Sequence, residues 1–326
     1  MTKRNVILLF IAFAIVGAVP GLAETATRAK VDLANPRFSF LSDLTPGTKP
    51  TTYLRTNSVV YRPGESITLL LSIDPNDHNF EKTFLLYLQN MQTGQINYIN
   101  QDDGLLPVGT ITDYSGASLD EVEAFQVPEI EDWVLIGEGG DNPAISVTAE
   151  MVNNHQFVWE FRDVTGQRIF QRVNWGFAVV NEVQNMPGEV TSGNTVSLSS
   201  DNAYFMDNAA TFVREGGELV IEPGTYILAQ GQSAVLVVER GGKIMAEGTP
   251  GRPIVMTSAQ PVGQRFRADW GGLVLNGRGP INVPGGEAIS EGFETEEILY
   301  GGGENPDEND SSGTLRYLRV EFAGAE

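Results

Sequence analysis

From Glu218 to Gly248 short apolar runs alternate with glycine-bearing turns, and the order of positions repeats. The segment Glu218 to Gly231 (ELVIEPGTYILAQG) and the segment Val235 to Gly248 (VLVVERGGKIMAEG) align with an offset of 17 residues, and seven of their fourteen positions are identical. The identities are Leu219/Leu236, Val220/Val237, Glu222/Glu239, Gly224/Gly241, Ile227/Ile244, Ala229/Ala246 and Gly231/Gly248, so apolar slots and turn glycines recur together. Units this short bury an apolar face only by stacking on a neighbour, which predicts two rungs of a β-helix.

Upstream the pattern is different. Between residues 51 and 182, short runs rich in β-branched and aromatic residues are separated by turn signals, as in Ser66 to Ile73, Phe84 to Leu88, Ile96 to Ile99, Ile145 to Glu150, Phe157 to Arg162 and Arg168 to Val173. Gln92 to Gln95 and Val164 to Gln167 both read Xaa-Thr-Gly-Gln, with glycine placed for a tight hairpin. Phe157, Trp159 and Phe161 alternate with Val158, Glu160 and Arg162, the period of a half-buried strand. No long stretch has helical periodicity, so the chain is all-β and residues 51–182 form an antiparallel β-sandwich. Residues 24–50 read as a linker and 183–213 as a linker and cap for the helix that occupies 214–326. Further strands are expected at Pro253 to Thr257, Gly272 to Leu275 and Thr314 to Phe322, the last with Leu318, Val320 and Phe322 on one side and Tyr317, Arg319 and Glu321 on the other. Residues 280–312, rich in glycine and acid, form an insertion between the last two. A helix stopping at Glu326 would leave an open edge, so the expectation is either a fragment of a longer protein or a partner chain at that end.

Lys3 and Arg4 followed by the apolar run Val6 to Val19, Pro20 and the small residues Gly21 and Ala23 read as a signal peptide over 1–23. Export to the periplasm, cell surface or extracellular space follows, with no membrane span after cleavage. There is no cysteine and the net charge is −21, which argues against nucleic acid or an anionic membrane as a partner. The expected partner is a carbohydrate or protein ligand at the cell envelope.

Two resemblances add to this. Val59 to Ile67 (VVYRPGESI) resembles the strand-turn-strand entry of macroglobulin-type and other immunoglobulin-like modules. The motifs at 248–260 (GTPGRPIVMTSAQ), 269–277 (DWGGLVLNG), 280–286 (PINVPGG), 300–302 (YGG) and 312–324 (SGTLRYLRVEFAG) resemble the N-terminal part of a family of bacterial exported right-handed β-helix proteins. Some of its members carry the label "multidrug transporter". The resemblance spans about Arg214 to Glu326 and implies a right-handed parallel β-helix; it brings no catalytic residues. One removable apolar segment cannot form a transport path, so the transporter label gains nothing from the sequence.

Asn305 to Gly313 (NPDENDSSG) offers oxygen donors, with Asp307, Asn309 and Asp310 the candidate ligands for calcium, though no glutamate stands where an EF-hand requires one. A solvated acidic loop is the alternative. Asp74 to Asn79 is similar and weaker. β-Helices host polysaccharide lyases and hydrolases, which use carboxylate clusters to hold calcium or as an acid/base pair and often an arginine or lysine base, so Asp269, Arg319 and Glu321 are the catalytic candidates, with Arg265 and Arg267 nearby. A surface ion pair is the plainer reading of Arg319 and Glu321. Trp159 reads as core and Trp270 as packing over glycine backbone, while Trp133, in an acidic loop, is the tryptophan to test for exposure to sugars. His78 and His155 stand alone, which disfavours zinc. Three readings follow. The first is a non-enzymatic exported protein presenting a binding surface; the others are a fragment of a carbohydrate-active enzyme and a structural part of a surface assembly.

Overall fold

The computed structural model describes residues 51–74, 81–99, 111–112, 125–126, 130–137, 144–162, 169–293 and 298–324. The expected leader and linker at 1–50, the turn at 164–167 and His78 lie outside the described residues. Two compact units result. One holds Glu182–Gln260 and Arg265–Glu326; the other holds the described residues before Glu182 together with Pro261–Gln264.

The N-terminal unit is built from β1 (Thr51–Thr56), β2 (Val60–Tyr61), β3 (Ser66–Ile67), β4 (Leu69–Asp74), β5 (Glu81–Asn90), β6 (Ile96–Ile99), β7 (Ile111–Thr112), β8 (Phe125–Gln126), β9 (Ile130–Ile136), β10 (Ile145–Ser146), β11 (Asn153–Arg162) and β12 (Ile169–Val179). One sheet has the order β1-β4-β9 and the other β2-β12-β11-β5-β6-β7, with β8 against β5 and the pair β3/β10 apart. Neighbours are antiparallel except β2 and β12. Leu54, Leu69 and Leu71 from the first sheet and Phe157, Trp159, Trp175 and Phe177 from the second are fully buried. The Trp175 indole N–H donates to Thr56 Oγ1 at 2.7 Å, tying β12 to β1. The Arg62 to Glu65 turn forms as its residues dictate. Pro63 presets the first central position, Gly64 takes φ 93°, and Glu65 N–H donates to Arg62 O at 3.0 Å. Gly94 at φ 76° likewise closes the β5–β6 hairpin.

Two expectations change here. The β11 strand is not half-buried: Val158 and Glu160 are as buried as Phe157 and Trp159. The Glu160 carboxylate tolerates this because it accepts from Tyr87 Oη at 3.0 Å and Arg172 Nε at 2.7 Å on the flanking strands. Trp133 stands in β9 opposite Leu71, a strand position and not a loop; its side chain lies outside the described residues.

The C-terminal unit is a parallel β-helix with three faces. Its first rung is β13 (Val183–Asn185), β14 (Glu189–Val190) and β15 (Thr195–Leu198), and its second is β16 (Ala203–Asp207), β17 (Thr211–Val213) and β18 (Glu218–Ile221). In the third rung β19 (Tyr226–Val238) runs unbroken from the first face to the second, followed by β20 (Lys243–Glu247). The fourth is β21 (Ile254–Ser258), β22 (Trp270–Leu275) and, after an insertion carrying the hairpin β23 (Ala288–Ile289) and β24 (Leu299–Tyr300), β25 (Gly313–Arg316). β26 (Leu318–Val320) opens a fifth. Every pairing between rungs is parallel. Inward residues stack in columns, including Val190, Val213, Val238 and Leu275 on the second face and Leu198, Ile221, Ala246 and Leu315 on the third. A large aliphatic side chain in such a column contributes about 1.5–3 kcal/mol when fully buried.

This register corrects three expectations. The stretch 183–213 is not a linker and cap; it supplies the first rung and two strands of the second. The two copies 17 residues apart are not two rungs, because Leu219 lies on Ile244 and Leu236 on Thr211. Each copy is instead a strand, a corner and a strand, set at different corners of the triangle. The stacking repeat is Glu189 to Leu198, Phe212 to Ile221 and Val237 to Ala246. Finally, Thr314 to Phe322 is not one strand, for the chain turns at Tyr317 (φ 45°) and again at Phe322 (φ 61°), so Phe322 does not share a face with Leu318 and Val320.

Glycine governs the corner between the second and third faces. Gly193, Gly216 and Gly241 stack there at φ 77°, 74° and 78°, with the N–H of each of the first two donating 2.9 Å to the next glycine's carbonyl. At the following position a Cβ on Gly217 would stand 2.3 Å from Val190 O, and one on Gly242 would stand 2.4 Å from Val213 O. Backbone from successive rungs occupies the space a side chain needs. Gly242→Ala is therefore expected to destabilise the helix by about 2 kcal/mol or more, whereas Gly188→Ala, with open space around its Cβ, should stay within about 0.5 kcal/mol. Urea unfolding of the two variants checks this; equal midpoints would contradict it.

Candidate functional site

On the first face the alternation of β26 sends Leu318 and Val320 into the core and Arg319 outward, in the column that contains Tyr226 and Val255. Glu321 follows, its N–H bonded to Met256 O at 2.9 Å, and its carboxylate accepts from Arg319 Nη2. The pair is largely covered, with side chains 12% and 18% exposed. Residues 259–269 form the loop that leaves this face after β21. Arg265 in that loop is buried and donates from Nε to Gln260 O at 2.8 Å. Asp269 closes the loop: its Oδ2 accepts from Ser258 Oγ at 2.5 Å and Phe266 N–H at 3.0 Å. Asp269 N–H donates to Phe322 O at 3.1 Å and the Trp270 indole to Glu321 O at 2.8 Å, so the loop and the fifth rung are joined.

The three catalytic candidates, Asp269, Arg319 and Glu321, thus come together at one end of the first face, with Arg265. The alternation of Arg319 and Glu321 could place only those two. Tyr226 was missed, and its only signal was an aromatic at an outward position of the first copy of the repeat. Burial pushes its hydroxyl up to about 12, against the pull of Arg319 and Arg265 and with the push of Glu321. Burial also lowers the Arg265 guanidinium from its ordinary value, opposed by Glu321, Tyr226 and Asp269.

An acid/base pair for glycoside cleavage needs two carboxyl groups across an open gap of roughly 5–9.5 Å. Here Glu321 is held by Arg319, and Asp269 Oδ2 accepts two hydrogen bonds from its own loop. The positive φ of Ala268 (69°) and Phe322 (61°) beside them belongs to the turn from the first face to the second, which Asn208 (46°) and Gly231 (84°) make in earlier rungs. It is corner geometry and no sign of catalytic strain.

The calcium candidates sit at the far end of the insertion. Asp307 Oδ1 accepts from Asn309 N–H at 2.9 Å and Asp310 Oδ2 from Arg278 N–H at 2.6 Å, while Asp307 N–H donates to Arg278 O at 2.9 Å. These bonds frame the loop. Among the described residues no group of three or more His, Cys, Asp or Glu side chains is placed to hold a metal ion. The insertion is anchored to the helix by Arg278 on Glu215 at 2.5 Å and by Arg240 on Glu287 at 2.9 Å and Gly301 O at 2.7 Å. Its Phe293 and Ile298 pack on outward residues of the second face, Phe212, Val235, Val237 and Val274.

Trp159 and Trp270 are fully buried, as their surroundings suggested. His155 is buried in the sandwich, stacked on Phe177 at 5.6 Å. Its Nε2 meets Met151 O at 2.7 Å and so carries the proton, leaving Nδ1 buried with no partner.

Residues 188–326 match a family described as a pectate-lyase like beta helix domain. The match begins beside β14 in the first rung and covers the rest of the helix, leaving the sandwich outside it. Neither a curated protein nor a solved structure matches the chain.

Two outcomes are expected. Glu321→Gln withdraws the carboxylate charge from Arg319 and Arg265 and should cost about 2–3 kcal/mol of helix stability, read by thermal unfolding; an unchanged melting temperature would show the pair to be dispensable. Burial lowers the His155 pKa from 6.5, so the folded chain binds that proton less readily than the unfolded one. Its contribution to sandwich stability is complete above that value and is lost as pH falls through the lowered one. His155→Phe should flatten this part of the acid limb when urea midpoints are compared at about pH 7.5 and about pH 5.

Proposed function

We propose that this is an exported protein whose β-helix binds polysaccharide at the cell envelope on its outer surface, without cleaving it. Lys3, Arg4 and the apolar run after them support export, and the likeness of residues 188–326 to a pectate-lyase like domain supports a polysaccharide as the ligand. The observation that carries the non-catalytic reading is the closed state of the Arg265, Asp269, Arg319 and Glu321 group. Its carboxylates are engaged by the protein itself, and its arginines are covered. The sandwich is read as an immunoglobulin-like module on the strength of its Arg62 to Glu65 turn.

One observation favours a second reading, a lyase. Arg265 is an arginine whose burial lowers its pKa, beside a tyrosine and two carboxylates, which is the direction a base requires. Incubation with polygalacturonate separates the two. The binding reading expects retardation of the protein in an affinity gel with no growth of ultraviolet absorbance from unsaturated chain ends. Absorbance that grows with time and is lost in Arg265→Lys or Arg319→Lys would replace it with the lyase.

A further inference from the structure

We infer that the turn Phe266-Arg267-Ala268-Asp269 is a sugar-binding subsite in which the Phe266 ring stacks on a pyranose and Arg267 pairs with its carboxylate. The subsite rests on the polysaccharide-binding reading above and locates its contact. Phe266 is 68% exposed, the most exposed large hydrophobic side chain among the described residues. A single exposed apolar residue needs no explanation by itself. This one is presented by a turn fixed from several sides. Its own N–H is held by Asp269 Oδ2 at 3.0 Å, Asp269 N–H reaches back to Phe266 O at 3.3 Å, and Ser258 Oγ fixes the same carboxylate. Arg265, one residue earlier, is buried and bonded to Gln260 O. Ala268 takes φ 69° at the third position of the turn, as the corner from the first face to the second requires. A platform so fixed loses little conformational freedom on binding.

Arg267 supplies the second, independent observation. It is exposed, and it makes no ion pair among the described residues, in a chain with 42 acidic against 21 basic residues. The other arginines of the helix are all engaged. Arg214, Arg240, Arg278, Arg316 and Arg319 pair with glutamates, Arg252 bonds Ser200, and Arg265 bonds Gln260 O. An exposed guanidinium without an ion pair among the described residues, on the residue after an exposed aromatic ring, fits a ligand that brings both an apolar ring face and a carboxylate. A uronic acid residue in a polysaccharide has both.

The test uses the full chain, polygalacturonate oligomers and their methyl esters, with affinities from calorimetry. Wild type is expected to bind the acid form more tightly than the ester. Phe266→Ala should weaken both by about tenfold or more, and Arg267→Ala should weaken only the acid form and reduce its salt dependence. Both sites are exposed, so thermal unfolding should be unchanged, confirming that the variants fold. Wild-type binding that neither substitution alters would overturn the subsite and leave the binding reading standing. Absence of wild-type binding to either polymer would overturn both. A shift in sedimentation on Phe266→Ala, with sugar binding intact, would make the residue a contact between copies of the chain and also overturn the subsite.

Discussion

The helix depends on how closely one rung can lie on the next. Parallel strands about 4.7–4.9 Å apart leave no room for side chains where the chain bends over the rung beneath. At the corner between the second and third faces the carbonyls of Val190 and Val213 occupy the Cβ positions of Gly217 and Gly242. The glycines above them, at positive φ, pass hydrogen bonds along the stack from Gly193 to Gly216 to Gly241. Once this corner is in register, the inward columns of valine, leucine and isoleucine follow, because each strand begins at the same height and phase as the one below.

The same constraint explains what the sequence disclosed and what it hid. Apolar alternation and turn glycines made the stacked parallel architecture legible, along with the all-β character of the chain and the Pro63-Gly64 turn. The rung length was not legible from the 17-residue repeat, because similarity between segments reports local grammar. A strand ending in glutamate, a glycine turn and another strand can be cut from any corner of a triangle, and the two similar copies come from different corners. The stacking repeat has fewer identities, with Val190, Val213 and Val238 followed at a fixed distance by Gly193, Gly216 and Gly241. It also extends upstream into residues whose polarity suggested a linker. Thr195, Ser197, Glu218 and Lys243 are polar because they face outward on the third face, not because they lie outside the fold.

For the candidate site the sequence named the right neighbours but could not judge their freedom. Asp269, Arg319 and Glu321 meet because β22 and β26 belong to successive rungs, a fact available only once the insertion between them is set aside. Whether a carboxylate is a reagent or a strut depends on bonds to Ser258, Phe266 and Arg319, which no spacing reveals. Tyr226 joins them from a rung further back across the column of Val255, about ninety residues earlier in the chain than Arg319.

The insertion leaves the helix after Leu275 and returns at Gly313, and Ser312 Oγ donates to Asn276 O at 3.3 Å across its mouth. Gly313 sits with its Cα against Ile244, where any side chain would meet the carbonyl at 1.9 Å, so the returning chain re-enters the stack in one register only. The rung is therefore closed at its neck, and what lies beyond the neck need not contribute to closing it. Such a junction behaves as a socket. Excursions of other lengths could be exchanged there, provided that they cover Phe212, Val235, Val237 and Val274 as Phe293 and Ile298 do, letting one helix acquire new surfaces without being refolded around them.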